Sequence, residues 1–252
     1  MTADDHSRLP GRRHGRAAAW APFLLTLVVL IASAVWGARI YDDLPDTIPT
    51  HWGPGGEPDA WDEKSFGTVF MPQLIAAGSA ALMAVLALVI PALLNPPKDP
   101  SAWKRYRLEG AERATISVLG WISLLTVLLV GFLGVQGWIG PDEVSFAWPM
   151  ALYLVLVFLM IFLPYRRWNR WADARASEHG FTPTAEEEAE ERLWLPGGIY
   201  NNPDEPLIMV PKREGYGVGT TINVGNRAGR TAVVVFLLVF VGGPLVLVFA
   251  VG

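Results

Sequence analysis

Five stretches of this chain carry no charged side chain: Ala17–Ala38, Val69–Leu94, Ala114–Ile139, Phe146–Pro164 and Thr231–Gly252. Each runs for about 18 to 26 residues, and at ~1.5 Å per helical residue that is enough to cross a hydrocarbon core of ~30 Å. A helix at the surface of a soluble protein needs a polar face, and these runs have none. Hydrophobic residues make up 52% of the 252 positions, and they are gathered into blocks rather than scattered. The expected fold class is therefore integral membrane and mainly α, with five transmembrane helices.

Charge sets the expected orientation. All but two of the 20 basic residues, Arg39 and Lys64, lie in the alternate segments 1–16, 95–113 and 165–230. Basic loops stay in the cytoplasm, so the N-terminus is expected inside and the C-terminus outside. The chain divides into a basic tail (1–16), two spans enclosing an outer loop (17–94, loop 39–68), and a basic loop with two further spans (95–164). A cytoplasmic helix with a β-rich module (165–230) and a fifth span (231–252) complete it. Ala32-Ser33-Ala34 offers a small-residue cleavage site, but the apolar run continues past it, so the first block is expected to remain as a span.

The outer loop has the most specific residue pattern: Leu44-Pro45, Asp46, Ile48-Pro49, His51-Trp52, Gly55-Gly56, Glu57-Pro58-Asp59, Trp61 and Lys64. Its prolines fix φ and push the preceding residues toward extended backbone, while its glycines permit turns. Trp52 and Trp61 suit either a small core or the headgroup level. Two readings stand side by side: a rigid cap orienting the first two helices, or a recognition surface facing outward. His51 lies among several acids that would suit a hard cation, but their spacing follows no ligand pattern, and no metal site or cofactor is expected.

This order of residues resembles an outer-loop domain of unknown function found in bacterial plasma-membrane proteins, the sporulation-delay immunity proteins among them. The resemblance covers the loop and its flanking helices. It implies a bacterial plasma-membrane location and a sensor or immunity role against a secreted peptide.

With no cysteine in the chain, disulfides, thiolate metal sites and CxxC redox chemistry are excluded. None of the five blocks contains an ionisable residue, whereas ion-coupled carriers place such groups near the midplane. Small residues at Ala76, Ala80 and Ala84, and at Gly131, Gly134 and Gly137, predict close helix packing. The basic run in 95–113 reads as a neutraliser of anionic headgroups, and also as a docking face for residues 165–230, whose Glu186, Glu187, Glu188, Glu190 and Glu191 would face it unless that segment docks onto a separate protein.

In the second cytoplasmic segment, Trp168 and Trp171 among arginines suggest that the fourth span continues as an interfacial helix ending at Gly180. A short acidic helix, AEEEAEER, follows Thr184. Beyond it the helical period is lost. Leu207–Val210 and Thr221–Val224 read as strands between turn clusters. Gly215-x-Gly217-x-Gly219 lacks the strand-to-helix setting of a phosphate cradle and reads as a hairpin turn. Pro196-Gly197-Gly198-Ile199-Tyr200, Asn202-Pro203-Asp204, Val210-Pro211-Lys212-Arg213 and Ile222-Asn223-Val224-Gly225-Asn226 resemble a second small domain of unknown function on the cytoplasmic side of such proteins. Asn202 and Asp204 are expected to make side-chain-to-backbone turns.

The expected function is binding rather than turnover. An extracellular peptide or envelope component would meet the outer loop, and a cytoplasmic or membrane protein would meet the module. The alternative is a structural or scaffold subunit, with a transporter component behind it. The bilayer is an expected partner of this slightly acidic chain, and nucleic acid is not.

Overall fold

The computed structural model describes residues 16–53, 55–94, 97–139, 144, 146–243 and 246. Among these, four helices are long and apolar enough to cross a membrane. They are α1 (Ala17–Ile40), α2 (Phe66–Leu93), α3 (Ala102–Ile139) and α4 (Ala147–Glu178). Leu24, Val28 and Ile31 of α1, Ile75, Leu82 and Leu88 of α2, and Leu152, Val155 and Leu159 of α4 are all exposed. Continuous apolar surface of that kind marks contact with lipid rather than with water.

The fifth expected crossing is only partly seen. Helix α6 (Arg227–Leu237) loosens into a π turn at Leu238–Gly242. Pro244 and residues 247–252 of that block lie outside the described residues, as do Arg8, Arg12 and Arg13 of the basic tail and residues 140–143 and 145 of the second outer turn.

The chain falls into two compact units. One comprises Ala21–Val85, Leu119–Leu159 and Leu237–Gly252. Here the small residues of α2 do what their spacing predicts: Ala76 and Ala80 are buried with Val127, under Val29, Leu30 and Val130. At Gly134 a Cβ would come within 2.7 Å of Pro72 Cβ, so only glycine allows α3 this approach to α2. Gly131, expected in the same packing stripe, faces open space.

Between α1 and α2 the outer loop forms an antiparallel hairpin of β1 (Thr47–Trp52) and β2 (Pro58–Glu63). The pairing starts at Thr47 opposite Glu63, and its register shifts on either side of His51. Ser65 then caps α2, its Oγ accepting from the Thr68 N–H at 3.1 Å.

The other unit comprises Met1–Trp20, Leu86–Val118 and Met160–Phe236. Ser101 caps α3 by accepting from the Lys104 N–H at 3.0 Å. The C-terminal end of α4 closes at Gly180 as the sequence suggests, with the Phe181 N–H reaching Ala176 O and the Gly180 N–H reaching Ser177 O. As expected, the fourth block continues as helix beyond its uncharged run. α4 runs unbroken to Glu178, and Trp168 is buried, its Nε1 donating to Ser117 Oγ of α3 at 2.9 Å.

Next comes α5 (Ala185–Arg192), opened by a capping box between Thr184 and Glu187. Two small antiparallel pairs follow: β3 (Trp194–Leu195) with β4 (Ile199–Tyr200), and β5 (Met209–Pro211) with β6 (Thr220–Ile222). A parallel bridge between Tyr200 and Asn223 joins the two pairs.

Candidate functional site

The hairpin is anchored on one side and displayed on the other. From its anchored side, Leu44 and Ile48 are buried with Val69, Phe70 and Trp138, and the Trp138 Nε1 donates to Val69 O at 2.9 Å. Pro49 is buried as well. Lys64 ties the two ends of the loop together, its Nζ donating to Leu44 O at 2.7 Å over the Tyr41 ring, while the Lys64 N–H donates to Asp46 O at 2.8 Å. Gly56 is buried in the turn, and its carbonyl accepts from the Val144 N–H at 2.8 Å.

Strand β2 contributes nothing fully buried. Asp59, Ala60, Trp61, Asp62 and Glu63 are all exposed, and Pro45 and Asp46 are exposed at the start of the loop. Across the bulge His51 Nδ1 lies 2.5 Å from Asp59 Oδ1, with both side chains more than half exposed. The two tryptophans do not share a core. Trp61 is 56% exposed, whereas Trp52 lies half-buried against Gly137 of α3. The cause is alternation: Trp61 pairs with Pro49 and Trp52 with Pro58, and these pairs stand three positions apart on both strands, on opposite faces. Among the described residues no group of three His, Cys, Asp or Glu could hold a metal ion.

The small β module after α5 is built around Asn223, which is fully buried. Its Nδ2 donates to the carbonyls of Asn202 and Glu205 at 2.9 and 3.0 Å, and its Oδ1 accepts from the N–H groups of Asn202 and Gly225. One amide thus satisfies backbone groups from three loop segments that have no ladder of their own. Asn202 adds the expected turn, its Oδ1 accepting from the Asp204 N–H at 3.0 Å, with Pro203 and Asp204 exposed. Tyr200 sets its ring edge-on to Trp194 and accepts at its OH from Asn202 Nδ2. Asn226 opens α6 by accepting from the Gly229 N–H at 2.7 Å. Any Cβ at Gly229 would overlap Asn223 O, so the helix can start there only with glycine.

Lys104, Arg107 and Arg113 are buried and paired with acids. Lys104 Nζ lies 3.0 Å from Glu190 Oε2, and Arg107 reaches both Asp173 of α4 and Glu191 of α5. Arg213 meets the same Glu191 at 2.5 Å and stacks 3.6 Å over the Tyr216 ring. Burial lowers the pKa of Arg213 and raises that of Tyr216. Ser101 Oγ donates to Glu187 at 2.7 Å. Deeper along α3, Glu109 and Glu112 hold Arg16, and Glu109 also holds Arg113, whose guanidinium lies 3.9 Å over Trp171.

The acidic helix faces the basic run, the internal docking that the charges of the two segments predict, with Glu187, Glu190 and Glu191 making the contacts of this latch. The pairs of Arg107 with Asp173, and of Glu109 and Glu112 with Arg16 and Arg113, were not expected, although both glutamates alternate with the cations of 104–113. Lys212, by contrast, is exposed.

Residues 28–76, from the middle of α1 through the hairpin into α2, match a family described as a domain of unknown function, DUF1648. An uncharacterized protein of Archaeoglobus fulgidus is 25% identical over 143 residues, covering 54% of this chain and 78% of that protein. No solved structure matches.

Proposed function

We propose that the protein is a plasma-membrane binding protein of the sensor or immunity type. Its hairpin recognises an extracellular peptide or envelope component, and its cytoplasmic module relays or anchors the response. Five spans, with the basic segments inside and the C-terminus outside, belong to this reading. The reading is one of binding and not of turnover.

The observation that carries it is the asymmetry of the hairpin. β1 is packed down through Ile48 and Pro49, while β2 presents Asp59, Trp61, Asp62 and Glu63 outward on a free strand edge. A free edge with alternating side chains is the usual template for an added strand. The immunity role draws on the resemblance of residues 44–64, and the relay role on that of residues 196–226. The cap or scaffold alternative draws on the Lys64 tie to Leu44 and on the Trp138 packing.

A photo-crosslinking residue in place of Trp61, in living cells, tests the choice. Recognition predicts one extracellular adduct that Asp59→Ala weakens at unchanged thermal stability. Adducts with lipid alone, indifferent to Asp59→Ala, would leave the cap.

A further inference from the structure

The cytoplasmic module leaves an apolar surface uncovered. Leu195, Leu207, Ile208, Met209 and Val218 are all exposed, Val218 to 68%. In β5 the alternation puts Val210 inside and Met209 outside. A module this small has no reason to expose five large apolar side chains to water.

Three attachments place that surface beside the ends of apolar helices. The Gly217 N–H, next to Val218, donates to Leu94 O at 3.3 Å, immediately past the end of α2. A methyl at Gly197, two residues from Leu195, would sit 3.6 Å from Ile161 Cγ2 and 3.9 Å from Phe162 Cε1, inside the uncharged run of α4. Leu207 O accepts from Asn226 Nδ2 at 3.0 Å, directly before α6, whose Val234, Val235 and Phe236 are exposed. Lys212 and Arg227 are exposed on the same segments. Asp204 and Glu214 are exposed there too. Apolar side chains at the end of a span with polar groups of both signs beside them match the acyl–headgroup boundary of a bilayer.

We propose that the module is seated in that boundary through Leu195, Leu207, Ile208, Met209 and Val218, with the bilayer's lipid as the occupant. This rests on the membrane reading of the four long helices. It makes the module a membrane-surface unit whose position answers to lipid as well as to the ionic latch.

The chain has no cysteine, so single reporters can be introduced without background. Leu207→Cys, Met209→Cys and Val218→Cys, each labelled with an environment-sensitive fluorophore, are placed in nanodiscs of phosphatidylcholine and phosphatidylglycerol. Phe162→Cys serves as the lipid control and Glu188→Cys as the water control. Blue-shifted emission at the three sites, quenched by lipids carrying a nitroxide near the headgroup, is expected. Water-like emission at all three, with Phe162→Cys still quenched, would overturn the proposal and spare the membrane reading. Loss of quenching at Phe162→Cys would overturn both. A blue shift that nitroxide lipids leave untouched would assign the surface to protein, a second copy within the disc, and refute lipid as the occupant.

Discussion

Replacing Glu191 with Gln tests how the β module is held. Glu191 is shared by two guanidiniums whose side chains are only 5% and 8% exposed, those of Arg107 and Arg213. Breaking a buried pair costs about 3–5 kcal/mol, because the partner charge stays buried without compensation. Glu191 itself is 26% exposed, and Arg107 keeps Asp173, so the low end applies. A loss of about 3 kcal/mol corresponds to roughly a hundredfold shift in the opening equilibrium, at 1.36 kcal/mol per factor of ten. Hydrogen exchange on the full chain in nanodiscs reads this directly. Peptides covering α5 and the β5–β6 hairpin should exchange roughly a hundredfold faster if local opening governs them. Glu188→Gln is the matched comparison: its pair with Arg192 is exposed on both sides, and such pairs contribute about 0–1 kcal/mol. Equal protection in the wild type and Glu191→Gln would refute the latch.

Four further outcomes follow from the same contacts. Asn223→Asp keeps the acceptor but removes the Nδ2 donor, leaving the carbonyls of Asn202 and Glu205 unpaired at about 1–3 kcal/mol each. Limited proteolysis of 199–226 should then become rapid. Trp52→Ala should lower thermal stability in detergent by about 2 kcal/mol for a half-buried ring, while Trp61→Ala should leave the melting temperature unchanged. Gly229→Ala should destabilise the start of α6, as measured by exchange at residues 223–230, whereas Gly78→Ala, with open space around it, should not. A reporter fused after residue 252 should be active only outside the cytoplasm, and cytoplasmic activity there would remove the fifth crossing.

Much of this architecture is legible in the sequence because membrane spans are written in length and charge alone. α1 to α4 coincide with uncharged blocks, and the Ser, Thr and Gly residues that bound the helices do so by local chemistry. The acidic helix with its Thr184 cap and the turn at Gly180 belong to the same class. That the acidic helix faces the basic run was legible from their charges, but which cations are buried, and by which acids, was not. Lys104 and Arg107 find their acids some 66 to 86 residues further on, in Asp173, Glu190 and Glu191, and no local pattern encodes that distance. The strand register was hidden for a similar reason. Pairing Pro49 with Trp61 and Trp52 with Pro58 sets the two tryptophans on opposite faces, and that register depends on how the turn closes, with the Gly53 N–H on Glu57 O, rather than on propensity. Asn223 stood in a recognisable run, yet its role as the satisfier of three backbone segments is a property of the folded loops alone.

In the proposed topology the hairpin faces outward and the β module inward. It is tested most directly by single-cysteine labelling of the cysteine-free chain in intact cells. Asp59→Cys and Glu188→Cys, both at exposed positions, are treated with a membrane-impermeant maleimide before and after permeabilisation. The account predicts immediate labelling of Asp59→Cys, and labelling of Glu188→Cys only once the membrane is opened. Labelling of both in intact cells, or of Glu188→Cys alone, would contradict it.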